Sequence, residues 1–310
     1  MSPVVLEAGG VRAAIVPELG GRMLSLRFDG REVLWRDPEL LDDELRTRQP
    51  VARPPLGAGF GQWQNWGGDK TWPAPQAGAG GGWPGPPDGV LDSGPYRVLD
   101  GGRDFVRLRS GTEPRTGLRI ERELRAEPGA LVVRSTLVNV SGPAARWAVW
   151  EVAQFPFGAD DLASDHAGIH VRVAGQARPV VLHDPIGSIG WSRDAGTVSA
   201  QFCAAVGKLG FPGATGIAEL VHADGRGVRM SFATTTGAEY ADDSPVQLWM
   251  QTPVDRPLPG LEGMSARARY VELEALSPLR LLEPGDRVTL DVRWQPVEGR
   301  SSPRRGGVSD

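Results

Sequence analysis

Apolar and polar residues alternate along many short segments of this chain, and turns rich in glycine, proline and aspartate separate them. Residues 105–109, 118–124 and 131–139 alternate with a period of two, the pattern of a β-strand with one solvated face. Residues 11–16 and 23–28 precede an Asp-Gly turn that is typical of a hairpin. Such regularly spaced strands predict an all-β sandwich. Further strands are predicted at residues 32–35, 147–152, 169–173, 217–221, 228–232, 246–250, 270–274 and 288–294.

Helical patterns are scarce, so we expect only few short helices. Residues 39–46 have the apolar spacing for about two helical turns. No linker of distinct composition divides the chain, and we expect a single domain over residues 1–297. The polar residues 298–310 predict a disordered tail, and the Gly-, Ala- and Pro-rich residues 77–88 predict a mobile excursion.

Charge and cysteine content narrow the classes of partner. The net charge of −4 over 310 residues argues against nucleic acid and anionic membrane surfaces as partners of this chain. The single cysteine, Cys203, excludes an internal disulfide framework and a cysteine-rich zinc site. The histidines show no ligand spacing, so we predict no metal, and no motif predicts a cofactor. The sequence leaves both a monomer and a homodimer open.

The sequence also bears on localisation. The first residues show no basic region followed by an apolar run, so we expect no signal peptide. No stretch approaches the ~18 consecutive apolar residues of a membrane span. Together these features predict a cytoplasmic protein.

The segment from Gln62 to Gln76 concentrates three tryptophans among polar side chains, in a setting of glycine and proline. Those glycines and prolines predict a loop. Flat indole faces beside fixed hydrogen-bonding groups suit a sugar, whose C–H face stacks while its hydroxyls need partners. Alternatively, the indoles pack on the body of the protein as a satellite core. The segment supplies Trp63, Trp66, Trp72, Asn65, Asp69 and Lys70.

Residues 65–75 of that segment read Asn-Trp-Gly-Gly-Asp-Lys-Thr-Trp-Pro-Ala-Pro, and three other segments accompany them: residues 16–35, 244–251 and 270–286. Together they resemble the galactose mutarotase-like, or aldose 1-epimerase-like, superfamily, and the first resembles the signature of one of its branches. The resemblance implies a large antiparallel β-supersandwich with a sugar-sized cleft on one concave sheet. It also implies that the strand bearing Trp249 borders this cleft.

Mutarotation requires a base for the anomeric hydroxyl and an acid for the ring oxygen. In the superfamily, a glutamate late in the chain is the base. By motif position, Glu272 or Glu274 corresponds to it, and their spacing puts both side chains on one face of a strand. Repulsion between two such carboxylates would raise the pKa of one of them. Alternatively, both are solvated on an exposed face.

The superfamily's acid is a mid-chain histidine, and this chain has none at that place. Trp150 to Gln154 occupies it instead, so Glu151 or Gln154 would face the cleft, with Glu151 as the candidate acid. His166, about a dozen residues later, is a further candidate if it reaches the site from a loop. The alternative is that it is merely solvated.

Lysine is rare in this chain, since only Lys70 and Lys208 interrupt an otherwise arginine-based positive charge. Both are predicted in glycine-rich loops that converge on one cleft, where an ammonium group binds hydroxyls or an anion. The sequence therefore predicts a carbohydrate-active protein that binds a small sugar or sugar derivative and epimerises it with glutamate acid–base chemistry. Two alternatives remain open: a non-catalytic carbohydrate-binding protein, and a lyase or isomerase acting on anionic sugars.

Overall fold

The computed structural model describes residues 2–76 and 82–299, which form two antiparallel β-sheets packed against each other. Sheet I has eleven strands: β1 (Val4–Ala8), β2 (Val11–Val16), β3 (Arg22–Phe28), β4 (Arg31–Glu32), β5 (Asp69–Ala74), β10 (Ala145–Phe155), β12 (Val180–Ile186), β15 (Val206–Phe211), β18 (Val246–Gln251), β19 (Tyr270–Leu276) and β20 (Arg280–Leu282). Sheet II has ten: β6 (Arg97–Gly101), β7 (Phe105–Arg109), β8 (Leu118–Glu127), β9 (Ala130–Asn139), β11 (Gly168–Val173), β13 (Trp191–Asp194), β14 (Thr197–Gln201), β16 (Ala214–Val221), β17 (Gly227–Ser231) and β21 (Arg287–Val297).

Sheet I runs in the order β1-β2-β3-β5-β10-β19-β18-β15-β12, with β4 beside β3 and β20 beside β10. Sheet II runs in the order β13-β14-β11-β16-β17-β21-β9-β8-β7-β6. The helices of the described residues are one short α-helix, α1 (Ala159–Leu162), and two 3₁₀ turns, Phe60–Gln62 and Ala241–Asp243. The predicted all-β sandwich is confirmed.

The core lies between the sheets. It consists of the apolar residues that alternate with polar ones along the strands. Along β8 every second residue is buried, including Leu118, Ile120 and Leu124. The central strands β10, β18 and β19 are almost wholly buried, because loops cover the face that points away from sheet II. The candidate site lies on this second buried face of sheet I.

The predicted helix at residues 39–46 is wrong, since this stretch is a series of turns. Asp42 explains the difference. Its Oδ1 accepts hydrogen bonds from the backbone N–H groups of Glu44 and Arg46, and such local bonds compete with those of a helix. Leu45 then adopts a φ of 63°, in the left-handed region that a helix excludes.

The prediction of a loop throughout Gln62 to Gln76 is also wrong, because its second half is β5. This strand pairs with β10 over six residues but meets β3 only at Asp69. The largely unpaired side tolerates Pro73, which has no N–H to donate. Lys208 likewise lies in a strand, β15, and not in a loop.

The predicted mobile excursion at residues 77–88 is contradicted where the structure describes it. Trp83 is fully buried, and its indole N–H donates to Asp88 Oδ2 at 2.8 Å. Residues 77–81 and 300–310, which include most of the predicted tail, lie outside the described residues. Within the described ranges, no helix is long and apolar enough to cross a membrane.

Candidate functional site

A cavity of about 200 Å³ opens on the face of sheet I that points away from sheet II. Four tryptophans form its aromatic wall: Trp63, Trp72, Trp150 and Trp249. Three of them are less than a tenth exposed, so strand packing fixes their orientation. We call this cavity the cleft. Its other lining residues are Phe60, Gln76, Pro86, His183, Lys208, Leu261, Met264, Tyr270, Glu272 and Glu274.

Strand register assembles the cleft floor. Glu272 of β19 lies opposite Gln154 of β10 on one side and opposite Trp249 of β18 on the other. Residues two apart in a strand share a face, so Glu274 points to the same side. The predicted common face of the two glutamates is thus what the structure shows, and both are buried there, which excludes the alternative of two solvated side chains.

Glu272 is held through one carboxylate oxygen. Its Oε1 accepts hydrogen bonds from Lys70 Nζ at 3.1 Å and from Gln154 Nε2 at 2.7 Å. Among the described residues, no hydrogen bond engages its Oε2, and the side chain keeps 9% of its surface exposed. Burial lowers the pKa of Lys70, while the charge of Glu272 opposes that shift. Glu272 therefore presents one uncommitted oxygen to the cleft.

Glu274 is held differently. Its Oε2 accepts from Trp150 Nε1 at 2.7 Å and lies 2.9 Å from Lys208 Nζ. The side chain is fully buried, and its Oε1 has no hydrogen-bond partner in the described structure. Burial raises the pKa of Glu274, and the nearby charge of Glu272 adds to the rise, while Lys208 opposes it. One oxygen of Glu274 is therefore committed to Trp150 and Lys208, while the other is buried without a partner.

Both lysines also lie over indole rings. Lys70 Nζ is 4.6 Å from the ring centroid of Trp72, and Lys208 Nζ is 4.2 Å from that of Trp150. A cation over an indole face is favourable, and more so when desolvated. Each ammonium is thus neutralised by a glutamate and stabilised by a tryptophan before any ligand binds.

Asp92 orients two of the tryptophans, and sequence reasoning missed it. Its carboxylate accepts the indole N–H of Trp63 at 2.9 Å and that of Trp72 at 3.0 Å. The buried Arg22 balances its charge at 2.5 Å. The only local signal was an Asp-Ser pair in a turn, which many surface turns share. Asp92 is a positioning residue for the aromatic wall.

Two predicted site residues, Asp69 and Glu151, lie on the wrong face. Both contact Arg122, which reaches across from sheet II, and the Arg122–Glu151 distance is 2.6 Å. Thr71 and Ser135 donate to the remaining Glu151 oxygen at 2.7 and 2.8 Å. Glu151 is therefore committed between the sheets, and its predicted position facing the cleft is wrong. Burial and the charge of Glu151 raise the pKa of Asp69 well above its usual range, although Arg122 opposes the shift.

Three further predicted site residues, Trp66, Asn65 and His166, lie outside the lining of the cleft. Trp66 packs in a separate core cluster with Leu19 and Leu24, so for this indole the satellite-core alternative is right. Asn65 is not among the residues that line the cleft, and its Oδ1 is buried without a hydrogen-bond partner among the described residues. His166 is exposed next to α1, bonded to Ser164 and the Ala223 carbonyl, and the geometry does not bring it to the cleft.

His183 of β12 lines the cleft, and sequence reasoning missed it because it stands alone, without metal-ligand spacing. It is paired with Lys208 in the sheet register. Its ring stacks on Trp249 with centroids 6.0 Å apart and planes at 15°. Its Nε2 is buried and has no hydrogen-bond partner among the described residues. β12 reads Val-Val-Leu-His-Asp-Pro-Ile and lacks the alternation of apolar and polar residues that would have placed His183 on one face.

No metal centre emerges from these residues. Across residues 2–76 and 82–299, no three His, Cys, Asp or Glu side chains cluster closely enough to hold a metal ion.

Comparison with known proteins identifies the fold of this chain. No protein-family model matches this chain, and no curated protein matches it by sequence. Solved structures do match over nearly its whole length. A protein from Escherichia coli K12, provisionally assigned as an aldose 1-epimerase, is 12% identical, with 95% of this chain and 98% of that chain covered and a TM-score of 0.55.

Two further matches extend this result. A galactose mutarotase-like protein from Lactobacillus casei is 15% identical, with 95% of this chain and 100% of that chain covered and a TM-score of 0.54. A TPR-domain containing protein from Parabacteroides distasonis is 16% identical, with 99% of this chain but 50% of that chain covered and a TM-score of 0.60. Identities this low establish the fold alone. The chain has the galactose mutarotase-like β-sandwich fold.

Proposed function

We propose that this protein binds a neutral aldose in the cleft and interconverts its anomers. The observation that carries the proposal is the free Oε2 of Glu272, in a cleft walled by four tryptophans. The likeness of the fold to galactose mutarotase-like proteins adds support. Indole faces stack on the C–H face of a sugar ring, which would bring its hydroxyl groups to the polar floor.

Glu272 is the base in this proposal. Its free oxygen removes the proton of the anomeric hydroxyl, whose oxygen forms a carbonyl with C1. The C1–O5 bond breaks, and its electron pair passes to the ring oxygen. Lys70 and Gln154 hold the other carboxylate oxygen, so the base is oriented before substrate arrives, which is what effective proton transfer requires.

His183 is the acid that protonates the ring oxygen. It lines the cleft with an Nε2 that no described group engages, and histidine is the commonest residue in this role. Rotation about the C1–C2 bond then presents the other face of the carbonyl. Ring closure returns both protons and yields the other anomer. Lys208, beside His183, supplies a fixed positive charge near the developing oxyanion.

A non-catalytic carbohydrate-binding protein is the second candidate. The observation that favours it is the pairing of both cleft glutamates with lysines, together with the absence of a histidine from β10. A lyase or isomerase of anionic sugars has less support. Its anion would have to displace a glutamate from Lys70 or Lys208.

The test is exchange NMR between the anomers of glucose, galactose, mannose and xylose. We expect wild-type protein to accelerate exchange for at least one of them, and Glu272→Gln to slow it by about 100-fold or more. Glu274→Gln is the matched control from the same strand, and we expect a smaller loss because the Glu274 side chain is fully buried, whereas that of Glu272 keeps 9% of its surface exposed. Sugar binding without faster exchange would establish the non-catalytic alternative. If no sugar is bound or exchanged, the proposal is wrong.

A further inference from the structure

The cleft continues into a second cavity of about 280 Å³. Four residues line both cavities, so the two are contiguous: Gln76, Trp150, His183 and Lys208. We call the second cavity the polar compartment. Small-molecule sites usually enclose about 300–1,000 Å³, a range that the cleft alone does not reach but the two cavities together do. The site is therefore larger than its tryptophan-walled part.

The two cavities differ in chemistry. Besides the four shared residues, the polar compartment is lined by Asp242, Gln247 and five apolar residues. The cleft has no counterpart of the Asp242–Gln247 pair and is walled by indoles instead. The apolar residues of the polar compartment are Ala74, Pro75, Leu182, Ala241 and Leu276. Gln247 Nε2 donates to Asp242 Oδ2 at 3.0 Å, and no hydrogen bond among the described residues engages Asp242 Oδ1. A fixed carboxylate with one unused oxygen suits a hydroxyl donor. The aromatic cleft suits one ring by stacking, and the polar compartment suits a second by hydrogen bonding.

The backbone at the rim of the polar compartment is held in an uncommon conformation. Asp242 and Asp243 have φ angles of 53° and 52°, consecutive non-glycine residues in the left-handed region. Ser244 Oγ donates to the Asp242 carbonyl at 2.8 Å, which helps to hold the turn. Backbone strain of this kind concentrates at functional sites. Here it accompanies the placement of the Asp242 carboxylate at the cavity.

We infer that the substrate of this site is two linked sugar rings, with the reacting ring against the tryptophans and the second ring in the polar compartment. This inference rests on the proposed function and extends it to a substrate class. The residues shared by both cavities would then flank the glycosidic link. A reducing disaccharide meets both requirements, because its terminal ring can still open at C1.

The test is calorimetric titration with maltose, lactose and cellobiose against glucose and galactose. We expect at least one disaccharide to bind about tenfold more tightly than its monosaccharides, a difference that one well-made polar contact can supply. Asp242→Gly should abolish this preference while leaving monosaccharide binding and anomer exchange unchanged. Glycine accepts the left-handed backbone, and Asp242→Asn, which keeps the shape of the side chain, should weaken the preference less.

Asp243→Gly is the matched control, since Asp243 has the same backbone conformation and does not line the compartment. It should leave the disaccharide preference intact. If disaccharides bind no more tightly than monosaccharides whose anomers are still exchanged, the inference is wrong and the proposed function stands. If Asp242→Gly weakens both classes of sugar equally, the inference is also wrong. If no sugar binds or exchanges, the proposed function fails and the inference with it.

Discussion

Lys70 and Glu272 are 202 positions apart in the sequence, and their charged groups lie 3.1 Å apart in the fold. Both side chains are more than nine-tenths buried. Removing one partner of such a pair leaves a buried charge unpaired, whereas replacing both with apolar residues can be nearly neutral. The stability of the fold therefore depends on the two partners being present together, and the pair also orients Glu272 in the cleft.

Lys70→Met should lower the free energy of unfolding by about 3 kcal/mol, because it leaves the Glu272 carboxylate buried with only Gln154 as a partner. The double variant Lys70→Met/Glu272→Met should recover most of that loss. Urea denaturation measures both. Arg134→Met is the control, because its pair with Asp291 is about half exposed and should change stability by less than about 1 kcal/mol. If the single and double variants lose the same stability, the pair is not coupled as described.

His183→Gln should slow anomer exchange by about 100-fold while leaving sugar affinity within about threefold of wild type. Glutamine retains a hydrogen-bonding group at the position but is not a proton donor of comparable acidity. Exchange NMR measures the rate, and calorimetry measures the affinity. His170→Gln, on β11 of the other sheet, is the control and should change neither. Unchanged exchange in His183→Gln would assign the acid to another group, with Lys208→Met as the next variant.

Trp63→Ala should weaken sugar binding by about tenfold, because stacked aromatic contacts contribute on the order of 1 kcal/mol or more. Trp63 is the most exposed indole of the aromatic wall, so its removal should cost little stability. Trp191→Ala is the control, since this indole is 40% exposed on β13, away from the cleft. Equal affinity loss in both variants would indicate a general effect on folding.

Asp69→Asn should change the pH dependence of stability. The folded protein raises the pKa of Asp69 above its value of 3.8 in the unfolded chain, so it keeps a proton that the unfolded chain releases. The contribution of Asp69 to the free energy of unfolding is fully present below about pH 3.8, and it is lost as the pH rises through the folded-state pKa. The stability of wild type relative to Asp69→Asn should therefore fall with rising pH.

Urea denaturation at a series of pH values above 3.8 measures this difference. Asp43→Asn, at an exposed position, is the surface control for the same substitution. A difference between wild type and Asp69→Asn that grows with rising pH would contradict the assignment of a raised pKa to Asp69.

Local patterns predicted the sheets and part of the site. Alternation of apolar and polar residues placed most strands, and a spacing of two put Glu272 and Glu274 on a common face. The same rule should have shown that Glu151 and Gln154, three apart, face opposite sides. The sequence analysis left Glu151 and Gln154 as alternatives, with Glu151 as the candidate acid, and Gln154 is the one that faces the cleft.

Contacts between distant segments could not be predicted in this way. The bond from Trp72 to Asp92 and the pairing of Lys208 with Glu274 depend on the strand order of sheet I and on loops that cover it. The glycines and prolines of residues 62–76 also led to the prediction of a loop where β5 lies. This strand tolerates Pro73 because β3 pairs with it only at Asp69.

Strand β10 carries Trp150 and Gln154 on its cleft face and Glu151 on the face bonded to Arg122. Deleting one residue early in β10 would exchange these faces, turning an indole toward the arginine and a carboxylate toward the aromatic wall. Deleting two would preserve the alternation. The length of this strand is therefore constrained to change in steps of two, a constraint that does not apply to the loops around the cleft.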